Sequence, residues 1–275
     1  MRFDLHIHSN VSLDCGEPME NTVRHAVEIG LDGICFTDHC DLFEYDGEGV
    51  PEAGRPKLDC FENWQKSYGE IERVRAKWGD KVEILHGIEL AEIVQDEARA
   101  RQVVEMPGLD FLIGAVHAVT GRTEFFMLQY PDVATCRTLI REYLNENIQM
   151  ARINLADVDA HIGYPNRYMA RRGFFVDLME YEKQLRELFS IVVQHGRGIE
   201  LNTAGLRGAY ERFTPDVPIL KLYKSCGGEI ITIGSDAHRA TDVGSHIEEA
   251  QELLRTVGFR YMTVFRQRKP EFIPI

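Results

Sequence analysis

The sequence predicts an α/β protein whose parallel strands close into a barrel, and three observations predict it. Strand-like and helix-like segments alternate along nearly the whole chain. Histidines and acids recur at or just past the ends of the strand-like segments, where α/β barrels build their sites. With 275 residues, 44% of them hydrophobic, the chain is long for one domain unless the fold is a large barrel or a doubly wound sheet.

Taken in order, "MRFDLHIHS" reads as a strand, and 18–29 as a helix opened by Pro18 and closed by Gly30. "DGICFTDH" (32–39) is the next strand, and 59–78 a long polar helix. The Gly-, Pro- and acid-rich stretch 41–58 between them reads as a surface loop. "KVEILHGIEL" (81–90) follows, then "QDEARARQVVE", a helix stopped by Pro107 and Gly108, and the strand 109–119. A helix over 132–153 precedes a weaker strand, "LADVDAHIG" (155–163), and an amphipathic helix over 177–195 precedes the strand 198–202. A helix near 215–226, the strand 228–236, a helix over 242–256 and the strand 260–265 complete the series. Seven or eight such units favour a closed barrel over an open sheet. No stretch reads as an interdomain linker, so residues 1–275 are expected to form one domain.

Net charge of −13 argues against a long nucleic acid as partner. No apolar run approaches the roughly 18 residues a membrane span needs, and no signal peptide is visible. The six cysteines show no C-x-x-C pair and are expected as reduced thiols in a cytoplasmic protein. No phosphate-cradling G-x-x-x-x-G-K-[ST] or G-x-G-x-x-G element is present.

In an extended strand, residues two apart share a face, so Asp4, His6 and His8 project together. Six of the ten histidines (His6, His8, His39, His117, His161 and His238) stand at strand ends, with Glu89 and Asp236 in matching positions. Any one of them alone is as easily a satisfied core or surface residue, but their joint placement points to one mouth. His25, His86, His195 and His246 are expected in packing or surface roles. "GYPNRYMARRGFF" could line a substrate entrance or form a solvated loop, and "RQRKP" is expected to be solvated. Imidazole and carboxylate without thiolate suit Zn, Mn or Fe. Eight or nine candidates exceed the three protein ligands of a single catalytic zinc, which implies two or three divalent ions. Such clusters serve hydrolysis by generating hydroxide at neutral pH and by neutralising phosphoryl charge.

"DLHIHS", "FTDH", "GIE", "GAVH", "DAHIG" and "SDAH", in this order, resemble the polymerase-and-histidinol-phosphatase (PHP) superfamily, and the tail "DVGSHIEEA" also fits. The resemblance implies a distorted seven-stranded, (β/α)7 TIM-like barrel with a trinuclear metal site. It implies that His6, His8, Glu89 and Asp236 hold one metal, and that Glu89 bridges to a second completed by His117 and His161. His39, His238 and Asp14 would hold a third, Asp14 standing where many members carry histidine. Asp4 would orient a ligand histidine. "IELNTAGLR" and "HIGYPNRY" resemble the monofunctional histidinol-phosphate phosphatases, which makes Arg207 and Arg167 candidates to clamp phosphate, with His39 beside them. The implied reaction is hydrolysis of L-histidinol phosphate to L-histidinol and phosphate, with Glu89, Asp236 and His238 as catalytic candidates. The proton for the leaving alkoxide would come from bound water, His238 or Asp236. The alternatives are a phosphoesterase of the same fold acting on another small phosphate ester or a nucleotide, and a barrel that binds metal without catalysis.

Overall fold

Strands that are apolar on both faces need cover on both faces, which a ring of helices around a parallel barrel supplies. The computed structural model describes residues 1–42 and 60–275. Its parallel strands are β1 (Phe3–Ile7), β2 (Gly33–Phe36), β3 (His39–Asp41), β4 (Glu83–Ala91), β5 (Phe111–Ala115), β6 (Val158–Asp159), β7 (Gly198–Asn202) and β8 (Ile231–Gly234). Seven of them run in the order β1-β2-β4-β5-β6-β7-β8. The nine-residue β4 pairs with β2 through its first half and with β3 through its second. The single strand expected over 32–39 is thus two, broken at Thr37 and Asp38. The break lets Thr37 donate its N–H to the Ile7 carbonyl and frees the Asp38 carboxylate to accept from Ser9.

The ring closes between β8 and β1, where Asp236 N–H donates to the His6 carbonyl (2.7 Å) and His8 N–H to that of Ala237 (2.9 Å). Asp4 adds a side-chain staple to this seam. Its carboxylate accepts from the N–H groups of Ser235 and Gly244, both at 2.8 Å. Gly234 permits the close approach, because a Cβ there would collide with the His6 side chain and the Glu200 carboxylate.

The covering helices are α1 (Met19–Glu28), α2 (Cys60–Trp78), α3 (Glu97–Val104), α4 (Val133–Ile153), α5 (Pro165–Ala170), α6 (Glu182–Gln194), α7 (Val217–Ser225) and α8 (Ile247–Val257). Asp96 and Asp132 cap α3 and α4 by accepting from the N–H groups of Arg99 and Thr135. No helix among the described residues is long and apolar enough to cross a membrane.

Several expectations are corrected. Residues 260–265 do not join the barrel; β9 (Tyr261–Arg266) forms an antiparallel hairpin with β10 (Lys269–Pro274). Of "RQRKP", Gln267, Lys269 and Pro270 are exposed as expected, but the two arginines are engaged. Arg266 grips both Glu83 oxygens at 2.6 Å, while Arg268 bonds the buried Asp157 and the Leu155 carbonyl. Glu83 opens β4, and Asp157 immediately precedes β6, so the hairpin seals the end of the barrel opposite the histidines. The expected strand 155–163 shrinks to Val158–Asp159, and helix α5 occupies part of the stretch offered as a loop. Cys40 and Cys60, expected as thiols, are disulfide-bonded with Cα atoms 5.2 Å apart, whereas Cys15, Cys35, Cys136 and Cys226 are free. From residue 43 on, the expected surface loop lies outside the described residues.

Candidate metal centre and phosphate cleft

His6 and His8 reach the mouth of the barrel by strand alternation, with their Nε2 atoms 3.1 Å apart. Glu89, near the end of β4, places Oε2 at 3.4 Å from His6 Nε2 and 3.5 Å from His8 Nε2. Asp236 follows β8 with φ of 55°, a left-handed conformation in which its Oδ1 comes within 3.4 Å of His8 Nε2 and 3.9 Å of His6 Nε2. The other Glu89 oxygen faces His161 Nε2 at 2.9 Å and His117 Nε2 at 3.3 Å. His39 Nδ1 lies 3.1 Å from Glu89 Oε2. Its Nε2 and that of His238 approach Asp14 Oδ2 at 3.7 and 3.2 Å. All nine residues expected around the metals therefore meet in one place. Asp14 is the most exposed of them, and the His8 ring stacks against those of His39 (4.3 Å) and His238 (4.2 Å).

The spacing fits divalent ions. With bonds of about 2.0–2.1 Å, two ligand atoms of a tetrahedral zinc stand roughly 3.3 Å apart, which is the separation found between Glu89 and the four imidazoles His6, His8, His117 and His161. Four groups of donors each converge closely enough for one ion: His6–His8–Glu89, Glu89–His117–His161, His8–His39–His238 and His39–Asp41–His117.

The electrostatics carry the same message. Burial opposes ionisation of Glu89 and Asp236, yet the imidazoles around them, with Arg167 beside Asp236, hold both carboxyls well below the usual range. Burial likewise opposes a charge on His6, His39 and His117, but the carboxylates of Glu200, Glu89, Asp236 and Asp41 raise all three well above the ordinary histidine value. Burial and the neighbouring His238 and His39 push His8 down to about 3. A cation binding among these imidazoles competes with protons for the same lone pairs.

Sequence reasoning missed the residues behind the cluster. Glu200 in β7 sets Oε1 2.6 Å from His6 Nδ1, which leaves His6 Nε2 as the free lone pair, and its Oε2 accepts from His161 N–H at 2.9 Å. Asp41 Oδ1 stands 3.5 Å from His39 Nδ1 and 3.6 Å from His117 Nδ1. Ser12 Oγ lies 3.2 Å from His8 Nδ1 and donates to Asp38 at 2.8 Å. Asp4, expected to orient a histidine, instead ties β1 to β8. A charged residue inside an otherwise apolar strand, as in "GIELN", was the available signal for Glu200. The remaining histidines stay apart: His86 packs on Trp64 and Tyr68, His195 and His246 flank helices, and His25 sits on α1.

Beside the cluster opens a cleft of about 220 Å³, lined among others by Arg167, Arg171, Arg207, Asp236 and His238. Pro165 starts the short α5 that carries Arg167, whose Nη1 donates to Asp236 Oδ2 at 2.8 Å while the guanidinium lies over the Tyr164 ring. Arg207 ends the short 3-10 turn Ala204–Arg207 and donates from Nη2 to the carbonyls of Ser235 and Asp236, while its buried Nη1 has no partner among the described residues. His39 is not among the residues lining the cleft, but its ring lies 6.0 Å from that of His238, which is.

Comparison with known proteins gives this geometry a family. The chain is 27% identical to the histidinol-phosphatase of Lactococcus lactis over 276 residues, covering 98% of this chain and 96% of the relative. It is also 27% identical to a probable histidinol-phosphatase of Thermotoga maritima, with 95% and 94% covered. The crystal structure of a histidinol phosphate phosphatase from Lactococcus lactis, complexed with zinc, L-histidinol and phosphate, superposes with a TM-score of 0.79 at 24% identity, covering 98% of each chain. A histidinol phosphatase structure from Listeria monocytogenes, described as putative, gives 0.75 at 17% identity, covering 90% of this chain and 99% of that one. A family model described as PHP domain matches residues 4–204, and the chain belongs to the PHP domain family.

Proposed function

We propose that the protein is a metal-dependent phosphomonoesterase that hydrolyses L-histidinol phosphate to L-histidinol and phosphate, a step of histidine biosynthesis carried out in the cytoplasm by the whole chain acting as one barrel. The observation that carries this reading is Glu89, whose two oxygens each face a pair of imidazoles beside an arginine-lined cleft. Relatives named for the same reaction match over nearly their full length.

In this reading His6, His8, Glu89 and Asp236 hold one divalent ion, Glu89, His117 and His161 a second, and His39, His238 and Asp14 a third; Zn, Mn and Fe all suit the donors. When bound, such ions supply a nucleophile at neutral pH and neutralise charge on the phosphoryl oxygens. Arg167 and Arg207 line the cleft and grip the phosphate from that side. Their fixed guanidiniums are aimed where negative charge accumulates during displacement at phosphorus. The departing alkoxide needs a proton at the cleft wall formed by Asp236 and His238. His238 and Asp236 are both engaged as ligands in this reading, and Asp236 also holds Arg167 in place, so the proton comes from water in the cleft.

The test is phosphate release from L-histidinol phosphate, other monoesters, nucleotides and diesters by metal-reconstituted protein, with elemental analysis alongside. Preference for L-histidinol phosphate is expected. Preference for a nucleotide or a diester would overturn the substrate assignment, and full activity in folded His8→Ala or Glu89→Ala would overturn the site.

A further inference from the structure

The cleft beside the cluster contains one acid that the phosphate-binding scheme does not use. Asp242 lies on the short turn Ala240–Asp242 after β8 and lines the same cleft as Arg167, Arg171 and Arg207. Its carboxylate makes no hydrogen bond among the described residues, and its nearest cation, Arg207 Nε, is 4.0 Å away, beyond bonding distance. Arg207 is meanwhile held by the Ser235 and Asp236 carbonyls, so it does not depend on Asp242 for its position. Small residues, Ala204, Gly205, Gly208 and Ala209, line the same cleft, and a Cβ at Gly208 would meet nothing within 4 Å. The cleft therefore combines room for an organic group, two arginines bonded to Asp236, and a carboxylate that makes no hydrogen bond among the described residues.

We propose that this cleft is the leaving-group subsite and that Asp242 is its specificity determinant, receiving an ammonium group carried by the alcohol half of the ester. The ligand class is the phosphomonoester of an amino alcohol, with phosphate toward Arg167, Arg207 and the cluster and the amine toward Asp242. A carboxylate with no hydrogen bond among the described residues and only a 4.0 Å approach to Arg207 repels a second phosphate at that position and attracts a cation. A charge-assisted hydrogen bond of this kind gives about 10- to 100-fold discrimination against an ester that lacks the amine. The proposal rests on the phosphomonoesterase reading, and narrows it.

The experiment measures kcat/KM of the zinc-loaded protein for matched pairs: L-histidinol phosphate against its des-amino counterpart, 3-(imidazol-4-yl)propyl phosphate, and O-phosphoethanolamine against ethyl phosphate. In the wild type the amino member of each hydrolysed pair is expected to be preferred about 10- to 100-fold. Asp242→Asn should bring that ratio close to one, and Asp242→Glu should restore part of it. A wild type without preference for the amine, or an Asp242→Asn variant that keeps the ratio, overturns the proposal, because a residue that merely braces Arg207 would slow both members equally. If L-histidinol phosphate is a poor substrate while another amino ester shows the Asp242-dependent ratio, the substrate assignment fails and the subsite stands. If L-histidinol phosphate is preferred but the ratio ignores Asp242, the subsite fails and the assignment stands.

Discussion

Replacing Glu200 by glutamine removes one charge and changes almost no volume, yet it should weaken the metal site. Both carboxylate oxygens accept: Oε1 from His6 Nδ1 at 2.6 Å, and Oε2 from His161 N–H at 2.9 Å and Asn202 Nδ2 at 3.1 Å. An amide has only one acceptor oxygen, so in either orientation its NH2 group faces a donor. If the NH2 faces His6, the imidazole must change tautomer and turn its lone pair away from the cluster. If it faces His161, a buried backbone N–H loses its partner. Every atom involved is buried, so water cannot repair either loss. A charge-assisted hydrogen bond contributes about 1.5–3 kcal/mol, which at 1.36 kcal/mol per decade is about a 10- to 100-fold loss of zinc affinity, the range expected when a ligand histidine loses its orienting carboxylate. Competition against a chromogenic chelator reads this directly, and excess zinc should restore part of the phosphatase activity. Wild-type zinc affinity in Glu200→Gln would refute the role given to Glu200.

Three further perturbations test other parts of the structure. Asp159 pairs in register with Gly114 and Ile199, which puts it on the helix-facing side of β6, and burial pushes its carboxyl up to about 8. A carboxyl raised in the folded state carries no penalty below about pH 4, and the penalty grows until about pH 8. Asp159→Asn should therefore stabilise the metal-free protein by up to about 5 kcal/mol at pH 8.5 and hardly at all at pH 4; equal effects at both pH values in urea unfolding would contradict this. Arg268→Ala leaves the fully buried Asp157 with Arg197 as its one guanidinium and the Leu112 N–H as its other donor, and should cost about 1–3 kcal/mol without changing zinc content, as read by thermal melting and elemental analysis. Thiol titration of the unfolded, unreduced chain should count four sulfhydryls, with Cys40 and Cys60 joined; a count of six would exclude the bridge.

What was legible in the sequence was what is local. "DLHIHS" and "SDAH" place ligand-type side chains by strand alternation and by position at a strand end, so their convergence on one mouth was legible without coordinates, whereas Asp14 and the grouping around each ion came only with the family resemblance. Glu200 was hidden because its partner, His6, is 194 residues away, and only barrel closure brings the two together. The terminal hairpin was hidden for a different reason. Its two-residue turn, Gln267–Arg268, has φ of 51° and 62° with neither Gly nor Asn to announce it, and Asp110 holds it by accepting from both backbone N–H groups. Without that signal, 260–265 looked like one more barrel strand. Helix α5 is six residues long, too short for its periodicity to stand out within "YPNRYMA".

The central claim is that cations occupy the space between strand ends that are distant in sequence. Anomalous diffraction at the zinc edge, from crystals of zinc-loaded protein, tests it most directly. Peaks on both sides of the Glu89 carboxylate, one toward His6 and His8 and one toward His117 and His161, are the predicted result. A fully active preparation whose crystals show no anomalous peak in that bowl would contradict it.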